Sequence, residues 1–318
     1  MTLLFTKRIM VYYMTSNEKR RLFRGFLARA RESPVSDMWR GWSWDRPPIE
    51  PPYEDINLSI YEVAGQYCES GRDIYLRRVE GIRRPPNLRM LRGLVLHRVV
   101  EEVVTRAKVI IYSHGSVSGQ FLIEKLMEEA ENSINKILEP FDLSEGSKEQ
   151  LGKKALSLWR FETWQIGANL DRVFSSHQEM GLDALVNMAI PFVVEHRLDG
   201  SFLGLSGDLR VDAISMGVVL DLKTGKKSPF QELYTTGYAL VLEALNEIPY
   251  DVGCLVTLEF SPQGNPVIRR WFHLIDEPLR QQFIEERDEK MRIVAEQEDP
   301  GPSKNCPNDC PYLDVCGV

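Results

Sequence analysis

The cysteines of this chain constrain its fold more than any other feature, because they tie its end to its beginning. Cys306, Cys310 and Cys316 stand among the last residues, as Cys306-Pro-Asn-Asp-Cys310-Pro-Tyr-Leu-Asp-Val-Cys316, and Cys68 is a distant fourth candidate. An odd total of five, with C-x3-C-x5-C at one terminus, favours a metal site in a reducing compartment over disulfides. Four thiolates suit zinc and a [4Fe–4S] cluster equally, so the spacing leaves the metal open. Cys254 is instead predicted to be a buried strand residue.

The composition is that of an ordinary globular chain, with 318 residues, 43% of them hydrophobic and 27% charged. No run of about 18 apolar residues occurs, and no small-residue cleavage site follows the mildly apolar N-terminus, so we expect a cytoplasmic protein without membrane contacts. The net charge of −7 counts against a wholly basic nucleic-acid binder but allows a local basic patch. Because Met14-Thr-Ser-Asn begins a capped helix, we interpret the first thirteen residues as a candidate mispredicted extension.

The periodicity along the chain predicts an α+β fold (mixed α/β). Helices are expected at 14–33, 60–78, 87 to about 106, 118–137, 147–177, 229–247 and 278 to about 297. Short strands are expected at 189–195, 201–205, 209–214, 217–223, 252–260 and 267–274, the last two as a hairpin. We divide the chain into an N-terminal helical and irregular region (1–59), a central domain (60–298) with a helical insert (107–180), and a cysteine-rich tail (299–318).

An acidic pair and a lysine fall in two neighbouring predicted strands. Asp221 and Lys223 alternate, so they share one face of a strand. A two-residue turn at 216–217 would place Asp212 opposite Asp221, whereas a three-residue turn would put them on opposite faces; Asp208 shares the face of Asp212 if the strand is continuous. Opposed carboxylates repel unless a cation lies between them, and hard oxygen ligands suit Mg²⁺ or Mn²⁺. The alternative is an exposed hairpin with alternating charge.

A histidine on the helix after Asn87 is a further candidate ligand. Gly93 and His97 are four residues apart and share a helix face, and a glycine inside a helix predicts close approach of a neighbour. An imidazole ligand would shift metal preference toward Mn²⁺. The alternative is a half-buried helix histidine without a ligand.

Arginines crowd the segment from just after Cys68 to just after His97. They are Arg72, Arg77, Arg78, Arg83, Arg84, Arg89, Arg92 and Arg98. This basic strip predicts phosphate binding, with Arg83, Arg84 and Arg89 as nucleic-acid contacts. Solvated helix faces and salt bridges are the alternative.

Taken in order, these motifs resemble those of the iron–sulfur RecB-like nucleases. The resemblance is carried by Cys68, Gly93-Leu-Val-Leu-His97, Gly207-Asp-Leu-Arg-Val-Asp-Ala-Ile214, Asp221-Leu-Lys223, Tyr234-x3-Tyr238 and the three C-terminal cysteines. Gly71-Arg-Asp-Ile-Tyr-Leu-Arg-Arg78 adds to it. Within that group the chain is most similar to the CRISPR-associated RecB-family exonucleases, in their archaeal subtype I-A branch, over about residues 60–318.

That resemblance implies a PD-(D/E)xK nuclease core and exonuclease activity on single-stranded DNA. It also implies a [4Fe–4S] cluster and a role in making spacers for CRISPR adaptation, beside the integrase and other adaptation proteins. The cluster ligands it implies are Cys68, Cys306, Cys310 and Cys316.

Carried over to this sequence, the resemblance implies Mn or Mg ligands at His97 and Asp221, with either Asp212 or Asp208 as the second carboxylate. Asp212, Asp221 and Lys223 would be catalytic. A shorter hairpin favours Asp212, and a thirteen-residue separation from Asp221 favours Asp208.

One motif departs from the family pattern Gln-x3-Tyr. Tyr234 stands where the family has glutamine, and only Tyr238, a further catalytic candidate, matches. The departure keeps two alternatives open: a non-catalytic nucleic-acid-binding subunit, and a structural adaptor of the adaptation complex.

Overall fold

A computed structural model describes residues 10–65, 68–176, 179–306 and 310–317. Its helices are α1 (Ser16–Arg21), α2 (Leu27–Glu32), α3 (Ile60–Ala64), α4 (Arg72–Arg78), α5 (Leu88–His114), α6 (Gly119–Leu138), α7 (Glu145–Ser176), α8 (Leu182–Ala189), α9 (Glu232–Asn246), α10 (Glu277–Glu296) and α11 (Leu313–Cys316). Its strands are β1 (Val193–Leu198), β2 (Leu209–Ser215), β3 (Val218–Thr224), β4 (Val252–Phe260) and β5 (Pro266–Leu274). None of the helices within these ranges is both long and apolar enough to cross a membrane.

The described strands form one mixed sheet in the order β1-β2-β3-β4-β5, which confirms the predicted α+β class. β3 and β4 are parallel and joined by α9, and the other neighbouring strands are antiparallel. Met216 and Gly217 make the turn between β2 and β3 with φ of 52° and 73°, as a two-residue hairpin turn of type I′ requires. This turn pairs Ala213 with Leu220, which is the register that places Asp212 toward Asp221.

Alternate residues of β3 pack into two hydrophobic clusters on opposite faces of the sheet. Leu220 and Leu222 pack with α5, α6 and α7, whereas Val219 packs with α9 and α10. Asp221 and Lys223 alternate with these leucines, so they point to the side on which α9 lies.

The interpretation of the first thirteen residues as a mispredicted extension is wrong for residues 10–13, which belong to the core together with Met14. Residues 1–9 lie outside the described part of the chain. None of residues 10–14 is more than 9% exposed. The Val11 amide donates to Glu162 Oε1 at 2.9 Å, and the Arg270 guanidinium of β5 donates to the carbonyls of Met10 and Val11. The segment is therefore held between α7 and the edge of the sheet.

The predicted helix over 60–78 is two helices, α3 and α4. Gly71 caps α4 in the left-handed conformation, with φ of 73°, and a helix cannot continue through it. Cys68 therefore lies in the connection and not on a helix. The strand predicted over 201–205 is also wrong, because Ser201–Leu203 forms a 3₁₀ turn that ends at left-handed Gly204.

A buried network of charges ties the N-terminal region to α9 and α10. Glu243 and Arg280 are fully buried and join through two hydrogen bonds of 2.6 and 2.9 Å. Arg40 Nη1 donates to Glu243 at 2.7 Å, and the amides of Gly41 and Tyr250 each donate to it at 3.0 Å. Burial alone would raise the pKa of Glu243, but the arginine beside it holds that pKa below its ordinary value.

Candidate metal-binding site

A histidine and two carboxylates from three different elements meet beside β3. His97 comes from the middle of α5, Glu195 from β1 and Asp212 from β2. Nδ1 of His97 lies 3.3 Å from Oδ1 of Asp212, and one ligand atom from each of the three residues lies within 4.8 Å of the others. The three groups could therefore coordinate one small cation together.

Helix α5 reaches this position because it runs against the end of β3. A Cβ placed on Gly93 would lie 3.4 Å from Thr224 Oγ1, at the edge of ordinary contact. The glycine thus marks the crossing point of helix and strand, as its spacing from His97 predicted. One turn further on, His97 faces the carboxylates.

Asp221 and Lys223 lie side by side on β3, and one carboxylate oxygen is left without a hydrogen bond. Lys223 Nζ donates to Asp221 Oδ1 at 3.1 Å. It lies 3.0 Å from Oδ2 too, but not in hydrogen-bond geometry, so this buried oxygen accepts none from the described residues. The Leu222 amide donates to Asp212 Oδ2 at 2.6 Å, which holds the two strands together beyond their last backbone pair. An orphaned buried carboxylate oxygen is a vacant acceptor that a cation could fill.

Glu195 was not predicted from the sequence, although it completes the group. It has a φ of 48°, uncommon for a residue with a Cβ, and it interrupts the ladder between the pairs Val194–Ala213 and His196–Val211. Backbone strain of this kind costs about 1–3 kcal/mol and is often found at functional sites.

Burial and mutual repulsion perturb the titration of the whole group. Burial raises the pKa of Asp221 to about 6, with a further contribution from Asp212 and an opposing one from Lys223. Burial, then Asp212, raises the pKa of Glu195 to about 7. Burial opposes the charged forms of His97 and Asp212 too, but each stabilises the charge of the other, so the pKa of His97 is raised and that of Asp212 lowered.

Two tyrosines of α9 cover the site. The Lys223 ammonium lies 3.3 Å from the centre of the Tyr234 ring, a close cation–π contact. Tyr238, one turn further on, is half-buried, and burial followed by the charges of Asp212 and Asp221 raises its pKa. Tyr234, which departs from the glutamine implied by the resemblance, is thus in direct contact with the candidate catalytic lysine.

Asp208, the other candidate for the second carboxylate, lies outside the group. Its side chain is 67% exposed, and its nearest cation is Arg210 at 3.9 Å. β2 begins only at the next residue, Leu209. The structure therefore brings Asp212, and not Asp208, to His97.

The four candidate cluster cysteines gather where the C-terminal tail meets the α3–α4 connection. Burial raises the pKa of Cys310, and the nearby thiols of Cys306, Cys68 and Cys316 contribute. The Ser70 hydroxyl donates to the Gly301 carbonyl at 2.7 Å and joins the two segments. Cys254 is fully buried in β4, as predicted.

Much of the basic strip has acidic partners. The pairs are Arg72–Asp299, Arg77–Glu62, Arg78–Glu62 and Arg84–Asp314. The salt-bridge alternative therefore describes these four arginines. Arg83 and Arg89 are exposed.

Comparison with known proteins gives the family of the chain and two named relatives. The profile of the family described as CRISPR-associated exonuclease Csa1 matches residues 10–318, and the chain belongs to this family. It is 34% identical to the CRISPR-associated exonuclease Csa1 of Saccharolobus solfataricus, over 89% of this chain and 92% of that one. It is 29% identical to that of Thermoproteus tenax, over 95% of this chain and 99% of the relative. No solved structure matches the chain.

Proposed function

We propose that the chain is a metal-dependent DNA exonuclease of the RecB-like type that acts on single-stranded ends. The observation that carries the proposal is the group of His97, Glu195 and Asp212 beside a buried Asp221 oxygen without a hydrogen bond. Membership in a family described as CRISPR-associated exonuclease supports the reaction class. An antiparallel β2–β3 hairpin followed by a parallel β4 also agrees with the PD-(D/E)xK core implied by the sequence motifs.

The residues present fit Mn²⁺ or Mg²⁺. Carboxylate oxygens and one imidazole nitrogen are suitable donors, and His97, Glu195, Asp212 and Asp221 would hold the ion. A bound divalent ion would lower the pKa of a water molecule and neutralise charge on the scissile phosphate.

The chain's own residues would then position the nucleophile. Lys223, fixed between the Asp221 carboxylate and the Tyr234 ring, can donate to the attacking water or to the phosphate oxygen on which charge develops. Asp221 holds that ammonium in place. Tyr238 lines the same side of the site and can donate its hydroxyl proton in a hydrogen bond to the substrate.

The proposal is tested with single-stranded oligonucleotides labelled at either end, in Mn²⁺, Mg²⁺ or chelator. Asp212→Ala and Lys223→Ala should remove cleavage, and Asp208→Ala is the matched control that should keep it. Wild-type-like cleavage by Lys223→Ala would refute the catalytic assignment. Metal-independent binding of DNA with no cleavage by any variant would favour the non-catalytic subunit instead.

We further propose that Cys68, Cys306, Cys310 and Cys316 bind one [4Fe–4S] cluster. The gathering of the four thiols supports a shared metal centre, and the resemblance to the iron–sulfur nucleases supports the choice of iron. Cys→Ala at any of the four should give colourless protein, while Cys254→Ala should keep the visible absorption. About one zinc per chain and no iron by elemental analysis would refute the cluster.

The proposed biological role is trimming of spacer precursors in CRISPR adaptation, with the integrase and other adaptation proteins as partners. Co-purification from cells that express the adaptation proteins tests the partnership. A chain that associates with the integrase but leaves precursor ends unprocessed would instead be the structural adaptor.

A further inference from the structure

An exposed tryptophan lies on the same face of the sheet as the candidate catalytic residues. Trp271 of β5 is 43% exposed. It pairs with Leu255 of β4, which pairs in turn with Asp221 of β3. Side chains of residues paired across strands share a face, so Trp271 and Asp221 lie on one face, two strand spacings or about 10 Å apart.

Cations accompany this indole ring. Lys227 Nζ lies 5.9 Å from its centre, and Lys226 beside it is also exposed. The next row across the sheet joins Lys223 to Thr257 and Thr257 to Arg269. The Trp271 Nε1–H donates to Thr257 Oγ1 at 3.4 Å, so the ring is oriented by the strand beneath it.

The loop that supplies these lysines also presents a second aromatic ring. Phe230 is 50% exposed and has a φ of 65°, an uncommon conformation for a bulky residue. The loop is fixed by Lys227–Glu232 at 2.6 Å and by the Ser228 amide, which donates to Gln231 at 3.0 Å. Phe230 borders a cleft of about 420 Å³ that Lys227 also lines.

We propose that Trp271, Phe230 and the lysines between them form a binding subsite for single-stranded nucleic acid. Bases would stack on the two rings, and Lys226 and Lys227 would contact phosphates. The subsite rests on the proposed nuclease function, since it holds the strand that leads to Asp221. A stacked strand advances about 3.4 Å per nucleotide, so Trp271 would engage a base about three nucleotides from the scissile bond.

The chemistry of the surface favours nucleic acid over a protein partner. A protein-docking patch is a contiguous apolar area. Here Trp271 has a lysine over its ring and an arginine two residues away on the same strand face, and exposed lysines precede Phe230. Lys227 and Arg269 also pair with Glu232 and Glu259, so the rings stand among charged groups, which suits stacked bases and phosphates better than an apolar partner.

Binding is measured by fluorescence anisotropy of a labelled oligo-dT in chelator, where no cleavage occurs. Trp271→Ala should weaken affinity about five- to a hundredfold, and Trp271→Phe should recover most of the loss. Trp164→Ala is the matched control, because Trp164 is 55% exposed on α7, away from the sheet face, and should bind as wild type. Lys227→Ala should flatten the salt dependence by up to about one unit of slope.

Cleavage kinetics separate this subsite from the metal site. Trp271→Ala should raise KM with little change in kcat, whereas Asp221→Asn should bind oligo-dT normally and fail to cut it. Wild-type affinity of Trp271→Ala would overturn the subsite and leave the nuclease standing. Equal losses in the Trp271→Ala and Trp164→Ala variants would overturn it too, and a wild-type chain that does not bind single strands would overturn both.

Discussion

Two clusters of buried charge lie on the same side of the sheet, and they differ in how completely they are satisfied. The carboxylate of Glu243 is bound by Arg280, Arg40 and backbone amides, and its pKa stays below the ordinary value. The carboxylates around His97 have fewer partners: Asp221 keeps a buried oxygen without a hydrogen bond, and its pKa is raised to about 6. The first cluster is complete without a ligand, whereas the second keeps a vacant acceptor that the proposed cation would occupy.

The completeness of its hydrogen bonding indicates whether a buried charge has a structural or a binding role. A buried charge whose hydrogen bonds are all made helps to fix one folded arrangement. Removing one partner leaves the other charge buried without compensation and destabilises the fold. An incompletely satisfied charge costs stability in the free protein and is retained where it binds something. A carboxylate-to-amide substitution should therefore reduce stability in the first cluster and activity in the second.

The largest expected effect is on activity, from Asp221→Asn. We expect Mn²⁺-dependent cleavage to fall by several orders of magnitude, because a metal ligand and the partner of Lys223 are lost together. The melting temperature of the metal-free protein should stay the same or rise, since a buried charge with a raised pKa is removed. Nuclease assays and thermal unfolding in chelator measure both. A sharply lowered melting temperature would make this cluster structural, like the first.

Glu243→Gln should give the reverse result. It leaves Arg280 without its buried countercharge, so we expect the free energy of unfolding to fall by about 3–5 kcal/mol. Denaturant unfolding measures the loss, and catalysis by the remaining folded protein should be little changed. Glu259→Gln, which breaks the more exposed pair with Arg269, is the control, with an expected loss under about 1 kcal/mol.

The affinity of the second cluster for Mn²⁺ should depend on pH. The pKa values of Asp221 and Glu195 are about 6 and 7 in the metal-free protein, so each carries a proton at lower pH that a cation must displace. Protonation of His97, whose pKa is also raised, acts in the same direction. Mn²⁺ affinity should therefore rise from pH 5.5 and level off near pH 8. Calorimetric titration of wild type and Glu195→Gln tests this; a flat profile in wild type would contradict it.

The smallest effect is expected at Tyr234. Tyr234→Gln introduces the glutamine implied by the resemblance but removes the ring over Lys223, a cation–π contact of about 0.5–2 kcal/mol. We expect kcat to change by about tenfold or less, and Tyr234→Phe, which keeps the ring, to leave it unchanged. Complete inactivity of Tyr234→Phe would show that the hydroxyl takes part in the reaction.

The sequence predicts those parts of the site that depend on local geometry. Alternation along one strand puts Asp221 and Lys223 on one face. A two-residue turn at 216–217, one of two turns that the sequence allows, directs Asp212 toward Asp221, and the structure has this turn. Helix spacing places His97 one turn after Gly93. Each relation spans only a few residues, so it can be deduced without knowing how distant elements pack.

The sequence does not predict relations set by distant packing. Glu195 reaches Asp212 only through the register of β1 with β2, across a connection whose 3₁₀ turn resembled a strand. Its segment reads as an ordinary alternating strand, and no local signal marks the left-handed backbone. The position of Cys68 outside a helix did have a local signal. The Ser70-Gly71 pair is typical of a turn and could have ended the predicted helix before α4.

The buried segment at 10–14 also has a consequence for the order in which the chain folds. Its hydrogen-bonding partners Glu162 and Arg270 lie 151 and up to 260 residues further along. At about 5–20 residues per second, a ribosome needs on the order of ten to fifty seconds to make the last of them. During that interval the apolar side chains of residues 10–14 lack their native contacts. Nascent chains should therefore depend on chaperones until β5 has been synthesised.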